Sequence, residues 1–220
     1  KDAFTGLYRT YAAFKNTLAA AYSANVKKEL FYTKARKYAS TMEAHLDTHN
    51  IPTAVYTQLI DTVHAFLPAM YRYVALRKKL LGVEELHMYD VYTPIADDNS
   101  PEIPFDKAKQ MVLEGLAPLG QDYLDKLQEG FDHRWIDVYE NQGKRSGAYS
   151  TCVYGAHPYV LLNYQGNLDN VFTLAHEMGH SLHSCYTNES QTYINSEYNI
   201  FVAEIASTCN EYLLIHDLLK

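Results

Sequence analysis

The sequence contains few cysteines and no paired cysteine motif. Its 220 residues include three, Cys152, Cys185 and Cys209, and none of them forms a C-x-x-C pair. An odd, sparse set of this kind excludes a disulfide framework and a cysteine-based zinc knuckle. It fits a protein of a reducing compartment.

Two further absences bear on binding partners. Lys and Arg number 19 against 26 Asp and Glu, a formal net charge of −7, and no Lys/Arg-rich run occurs. This balance argues against nucleic acid and anionic membranes as ligands. No apolar run approaches the roughly 20 residues that a membrane span needs. No obligatory protein partner is evident.

Hydrophobic residues make up 47% of the chain, which excludes a disordered tail and is enough to form a core.

Helical periodicity dominates residues 1–134. Apolar side chains recur at three- and four-residue steps, as on one face of an amphipathic helix. In the first predicted helix they are Phe4, Leu7, Tyr8, Tyr11, Phe14, Leu18 and Tyr22. The pattern predicts a second helix from about residue 25 to residue 46, and a kink or split at Pro68 in a later one.

The pattern changes from about Trp135. Tyrosine- and valine-containing runs at 148–154 and 159–164, separated by Gly-Ala-His-Pro, predict a short hairpin. A helix is predicted from about Leu168, with Asn167 or Asp169 as its cap, and a last helix from about residue 200. The expected fold is mainly α, with a small sheet beside the helix that starts at residue 168.

The residues that carry the most chemistry are His176-Glu-Met-Gly-His180. At about 100° per residue, the two histidines lie roughly 40° apart on one helix face, one turn or ~6 Å along the axis. Both imidazoles can therefore reach one zinc ion at ~2.0–2.1 Å. Glu177 is one step round from His176, so it flanks the ion and can take a proton from an activated water.

A zinc hydrolase also needs a third protein ligand. The candidates are His183, Glu189, Glu197, Glu204 and Glu211. Glu204 is a lone carboxylate in an apolar, small-residue helix, where a metal partner would offset the cost of burying its charge. Glu211 shares that helix face and could hydrogen-bond a ligating imidazole. His183 lies ~10 Å from His176 along the axis, which favours a place behind a ligand or on the cleft wall. For both of these, a solvated polar residue is an equal alternative.

Two other functions stay open on these residues. A helical binding or scaffold module would carry the pentapeptide without a metal. A metal hydrolase of another class, such as a deformylase-like enzyme with iron, would draw its third ligand from an upstream cysteine, for which Cys152 is the candidate.

Three linked segments resemble one family. They are Tyr149–Tyr164, Phe172–His183 and Asn199–Glu211. Together they are similar to oligoendopeptidase F, a bacterial member of the thimet oligopeptidase-like (M3) zinc metallopeptidases. The resemblance implies a multi-helix, zincin-type body and one zinc ion per chain, held by His176, His180 and Glu204, with Glu177 as general base and acid. It also implies cytoplasmic cleavage of short oligopeptides in a deep channel between two helical halves.

The resemblance also predicts how the chain is organised. Residues 1–220 would be an internal part of one peptidase catalytic domain, with a helical body at 1–134 and the metal-site region at 135–220. The C-terminal part of the domain would be missing. The tyrosine and histidine that family members use to stabilise the tetrahedral intermediate would lie beyond Lys220, so the isolated chain is expected to be weakly active or inactive.

The second run of the hairpin is the predicted substrate contact. A peptide is expected to extend along residues 159–164, beside Tyr159, Val160 and Leu161, if this strand forms an open sheet edge. His157 precedes Pro158 near that strand. It either touches the substrate or caps the turn, and the pattern slightly favours the turn.

Overall fold

The chain forms two compact units in the computed structural model, which describes residues 1–95 and 102–220. The units are Lys1–Asp98 and Asn99–Lys220. The structure is mainly α with a small sheet, as predicted. The subdivision of one domain at residue 134 stays a prediction; the two helices between residues 105 and 132 contribute to the same core as the metal-site region.

Four α-helices and one short 3-10 helix (Met88–Asp90) lie in the described part of the first unit. The α-helices are α1 (Asp2–Ala13), α2 (Lys15–Ala35), α3 (Thr41–Asp47) and α4 (Thr53–Leu81). The helix predicted from 25 to 46 is interrupted at 36–40, because Ser40 begins a new helix by accepting a hydrogen bond from the Glu43 N–H at 3.0 Å. No split occurs at Pro68, since α4 is continuous through it.

The second unit contains the remaining helices and a sheet. Its elements are α5 (Phe105–Gly115), α6 (Gln121–Asp132), β1 (Ile136–Asp137), β2 (Tyr149–Thr151), β3 (Tyr159–Leu161), α7 (Leu168–Ser190) and α8 (Ile200–Leu218). Asn167 caps α7 as predicted, because its side chain accepts a hydrogen bond from the Asn170 N–H at 2.9 Å. No helix in the described residues has both the length and the apolarity needed to cross a membrane.

Side chains from nearly every element of this unit share one core. Its fully or almost fully buried members are Ala108, Val112, Leu116, Leu127, Trp135, Val160, Leu162, Tyr164, Val171, Leu174, Ala175, Met178, Leu182 and Leu214. Five of these lie on α7, so the core fixes one face of this helix. The other face is left for the polar side chains described below.

Helices α7 and α8 approach each other very closely at Gly179. A Cβ atom at this position would lie 2.7 Å from Cα and 3.0 Å from the backbone N of Ser207. Only glycine allows this approach without a shift of one backbone. The contact brings α8 alongside the turn of α7 that carries His176 and His180.

The sheet has the order β1–β3–β2, with β1 parallel and β2 antiparallel to β3. The predicted hairpin is therefore present as β2 and β3. Its second strand is not an edge, because the Val160 N–H donates to the Trp135 carbonyl at 2.8 Å on the β1 side. Strands β1 and β2 are the two outer strands, and β2 packs against α7.

Candidate metal centre

The pentapeptide and α8 bring three candidate ligand atoms together. The Nε2 atoms of His176 and His180 lie 3.1 Å apart. Oε2 of Glu204 lies 3.3 Å from each of them. His176, His180 and Glu204 are also the one group in the described residues whose donor atoms are clustered closely enough to hold a metal ion. Of the third-ligand candidates, Glu204 is thus the one that the fold places beside both histidines.

The shape of this triangle fits a small tetrahedral ion. Ligands at ~2.0–2.1 Å from a tetrahedral zinc ion are about 3.3 Å from one another. The observed separations of 3.1, 3.3 and 3.3 Å match that value. Two imidazoles and one carboxylate are also a donor set of catalytic zinc sites, in which the fourth position is open. The residues present therefore fit zinc.

One expectation about Glu204 is wrong. Its side chain is 60% exposed rather than buried in apolar surroundings. The small residues around it serve the close packing of α8 on α7 at Gly179 and Ser207. The carboxylate itself faces open space, which leaves room beside it for a water molecule or a substrate.

The His176 imidazole is oriented by a carboxylate on α8. Nδ1 of His176 lies 2.6 Å from Oε1 of Glu211. A carboxylate accepts but cannot donate, so Nδ1 carries the proton and the lone pair of Nε2 is available to a metal. Burial lowers the pKa of His180, and the Glu204 carboxylate and the backbone of Ala203 oppose this shift. Glu211 thus has the position predicted for it.

Glu177 lies beside the triangle but outside it. Glu177 is 7% exposed, and its Oε2 has no hydrogen-bond partner among the described residues. Burial raises the pKa of Glu177; the nearby His176 ring opposes this shift and the Glu204 carboxylate adds to it. A cleft of about 310 Å³ opens beside His176, Glu177 and Glu211. A carboxylate with one unpaired oxygen and a raised pKa at such a cleft is suited to accept and release a proton.

His183 occupies a different position, one turn beyond His180. Its ring stacks on Tyr198, with centroids 3.8 Å apart. Its Nδ1 is buried and lacks a hydrogen-bond partner among the described residues, and burial lowers the pKa of this histidine. The structure places it against an aromatic ring rather than in the ligand triangle, and its contribution to the site stays a prediction.

The prediction that the backbone of a bound peptide pairs with the backbone of residues 159–161 is wrong. Tyr159, Val160 and Leu161 form β3, whose two sides are taken by β1 and β2, and Val160 is 3% exposed. The two-residue strand β1 closes the side that the sequence pattern leaves open. His157 hydrogen-bonds the Pro158 carbonyl at 2.7 Å and stacks on Trp135, which agrees with a role in the turn. Contact of His157 with a substrate stays a prediction.

Cys152 is not part of the ligand cluster. Its Sγ accepts a hydrogen bond from the Asn188 side chain at 3.2 Å. Burial raises the pKa of the Cys152 thiol, whereas a metal-binding cysteine needs a thiolate. The arrangement therefore gives no support to a cysteine-ligated site of the deformylase type.

Two serines near the site are absent from the sequence-based prediction. Ser150, in β2, contacts the Ser181 hydroxyl at 2.9 Å, and its backbone N–H faces the Glu177 carboxylate. Ser207 donates to Oε2 of Glu204 at 2.8 Å. Ser150 acts through its backbone, so its identity carries no signal. Ser207, however, lies three residues after Glu204 on the same helix face, a spacing that could have indicated the contact.

Comparison with known proteins identifies the family of this chain. The sequence matches Peptidase family M3 over residues 1–220. It is 50% identical over 214 residues to Oligopeptidase PepF of Bacillus subtilis, covering 97% of this chain and 32% of the relative. It is 45% identical over 220 residues to Group B oligopeptidase PepB of Streptococcus agalactiae, covering 100% of this chain and 36% of the relative.

A solved structure leads to the same conclusion. The crystal structure of oligoendopeptidase-F from Enterococcus faecium superposes with a TM-score of 0.64 at 37% sequence identity, covering 99% of this chain and 31% of that one. The chain thus spans about a third of the length of the curated relatives described above. Because the family match extends over residues 1–220 and the relatives are this similar, the chain belongs to peptidase family M3.

Proposed function

We propose that this chain forms the zinc-binding region of a metalloendopeptidase that hydrolyses short oligopeptides. The observation that carries the proposal is the triangle of His176 Nε2, His180 Nε2 and Glu204 Oε2, whose sides measure 3.1, 3.3 and 3.3 Å. A metal-free scaffold has no need for three converging donor atoms, nor for the 2.6 Å contact that orients His176.

Zinc, when bound here, supplies Lewis-acid activation of a water molecule and of the scissile carbonyl. Glu177 accepts the proton of the attacking water at its unpaired Oε2 and passes it to the leaving amine. Burial raises the pKa of this carboxyl group, which favours holding the proton between the two transfers. Glu211 keeps the His176 ring fixed while this happens.

The free edge of β2 is the place where a peptide backbone can be held. Ser150 lies opposite Val160, whose N–H points towards β1 and away from β2. In an antiparallel pair such residues direct their backbone groups away from each other, so the N–H and C=O of Ser150 point outward. The Ser150 N–H faces the Glu177 carboxylate, so a substrate strand added at this edge pairs with the Ser150 C=O, and such backbone hydrogen bonds give loose sequence selectivity.

The substrate class and the compartment are also proposals. Relatives in the family are named oligopeptidases, and we assign oligopeptides as substrates of this chain for that reason. We place the protein in the cytoplasm, because all three cysteines are free and a reducing compartment keeps thiols in this state.

The test compares Glu177→Gln with the matched control Glu189→Gln in the full-length protein. Both glutamates lie on α7, but Glu189 forms an exposed ion pair with Lys126 far along the helix. With a quenched fluorescent oligopeptide, we expect Glu177→Gln to keep stoichiometric zinc and to lose about 10²–10⁴-fold in turnover. Glu189→Gln is expected to match the wild type.

Two results would contradict the proposal. Unchanged turnover in Glu177→Gln removes this residue from the mechanism. A wild-type protein that binds no stoichiometric zinc supports the metal-free scaffold instead, and the His180→Ala variant then has no effect on metal content.

A further inference from the structure

Among the described residues, the Glu204 carboxylate has one hydrogen-bond partner that is not a histidine. Oε2, the oxygen that faces both imidazoles, also lies 2.8 Å from the hydroxyl of Ser207. The Glu204 side chain is 60% exposed, so packing alone does not hold it in one rotamer. The Ser207 hydroxyl is the donor that directs this oxygen towards the histidines.

Ser207 itself is firmly held. It is 0% exposed, and its hydroxyl also approaches the Glu204 carbonyl at 3.1 Å, so both contacts share one proton. Its backbone lies against Gly179, where a Cβ atom would come within 2.7 Å of the Ser207 Cα. Gly179 immediately precedes His180. The position of Ser207 is therefore fixed relative to the turn of α7 that carries both imidazoles.

We propose that Ser207 is a positioning residue that sets the Glu204 carboxylate in place for the metal before the metal binds. Without its hydroxyl, Glu204 samples several rotamers, and ordering it disfavours binding. Hydrogen bonds of this kind to a ligating carboxylate commonly contribute about 10–100-fold to metal affinity. The inference rests on the proposed function, since it assumes that His176, His180 and Glu204 hold zinc.

The neighbouring residue provides a matched control. The Thr208 hydroxyl donates to the backbone carbonyl of Glu204 at 2.5 Å but has no contact with its carboxylate among the described residues. Thr208→Ala therefore removes a hydroxyl bonded to the same glutamate without releasing Oε2. Any effect specific to Ser207→Ala then reflects the carboxylate rather than the helix backbone.

The experiment measures the zinc dissociation constant of the full-length protein by competition with a chromogenic chelator, at one pH. The variants are wild type, Ser207→Ala, Thr208→Ala and Glu204→Ala. We expect Ser207→Ala to weaken zinc binding by about 10–100-fold, Thr208→Ala to stay within about twofold and Glu204→Ala to weaken it most. The melting temperature of the metal-free proteins is measured in parallel. If Ser207 has a purely structural role, Ser207→Ala lowers this temperature without changing the affinity for zinc.

The outcomes separate this inference from the function beneath it. If Glu204→Ala weakens zinc binding and Ser207→Ala does not, the positioning role is overturned while the metal site stands. If Thr208→Ala weakens binding as much as Ser207→Ala, the carboxylate contact is not the cause and the inference fails. If the wild type binds no zinc, or Glu204→Ala binds it normally, the proposed metal site itself fails.

Discussion

Nδ1 of His176 and Oε1 of Glu211 lie 2.6 Å apart and join the middle of α7 to the middle of α8. The contact lies on the far side of the imidazole from the ligand triangle. It therefore selects the tautomer that carries its proton on Nδ1 and leaves the lone pair of Nε2 free, and it fixes the plane of the ring. The geometry of the triangle thus depends on a residue that is not part of it.

Replacing Glu211 is expected to weaken zinc binding in a graded way. Gln keeps an oxygen that can accept from Nδ1, whereas Ala leaves Nδ1 without its partner. We expect Glu211→Ala to lose about 10–100-fold in zinc affinity and Glu211→Gln to lose less. Asp217→Asn is the control, since Asp217 is an acid on the same helix whose contact is an exposed ion pair with Lys220. An equal loss in Asp217→Asn would mean that net charge, not the hydrogen bond, is responsible.

Gly179→Ala is expected to destabilise the second unit. The added methyl group would lie 2.7 Å from the Ser207 Cα, and a backbone atom cannot move aside as a flexible side chain can. Overpacking of this kind costs about 1–3 kcal/mol, which outweighs the gain of about 1 kcal/mol from replacing a helical glycine by alanine. Urea unfolding of the 220-residue chain, followed by the fluorescence of Trp135, reports on this unit, because Trp135 is the single tryptophan of these residues and is 4% exposed in the core.

Gly6→Ala is the matched control for that substitution. Gly6 is also inside a helix, α1, but nothing lies within 4 Å of a Cβ at its position. The same change should therefore be neutral or stabilise its helix by up to about 1 kcal/mol, as measured by circular dichroism. A Gly179→Ala protein that is as stable as the wild type would show that α7 and α8 can separate at no cost.

Gly179 also illustrates what the sequence could predict. A glycine inside an otherwise strong helical pattern indicates a close approach by a neighbour, and α8 makes that approach. The pairing of His176 with His180 follows from helical spacing alone. The first residues of α7 and α8, Leu168 and Ile200, were also predictable, because a capping asparagine precedes each helix.

The sheet shows where the sequence was insufficient. Strand β1 is two residues long, Ile136–Asp137, which is too short for an alternating pattern. Its parallel pairing with β3 depends on the packing of the whole unit, and it turns the expected edge strand into the central one. In the first unit, by contrast, the break before α3 had a local signal, the capping sequence Ser40-Thr-Met-Glu43.

Asn210 is expected to be important for stability although its side chain contacts none of the candidate metal ligands. It is 1% exposed; its Nδ2 donates to the Ala175 carbonyl at 2.9 Å, and its Oδ1 accepts from the Tyr123 hydroxyl at 3.0 Å. Asn210→Ala removes two hydrogen bonds: the Ala175 carbonyl keeps its partner within α7, whereas the Tyr123 hydroxyl is left unpaired at a cost of about 1–3 kcal/mol. We expect a clear drop in the free energy of unfolding, measured by urea and Trp135 fluorescence. Tyr123→Phe leaves a single acceptor unpaired and should cost less, and the opposite order would contradict this assignment.

The buried Tyr123 phenol is also expected to cause a specific loss of stability at alkaline pH. Burial, opposed by the hydrogen bond to Asn210, raises the pKa of Tyr123 from 10.0 to about 12. Between these values the unfolded chain releases the phenolic proton and the folded chain keeps it, so the free energy of unfolding falls as pH rises through this range. The contribution is at most about 3 kcal/mol, since one pKa unit corresponds to about 1.4 kcal/mol.

The Tyr123→Phe variant isolates this contribution from that of the other tyrosines. Phenylalanine has no proton to release, so the stability difference between wild type and variant should be constant below about pH 10. It should then shift in favour of the variant as pH rises towards 12. Urea unfolding of both proteins at several pH values gives this difference directly. A difference that does not change with pH would show that the Tyr123 phenol titrates alike in the folded and unfolded chains, and hence that burial in the core does not hold its proton.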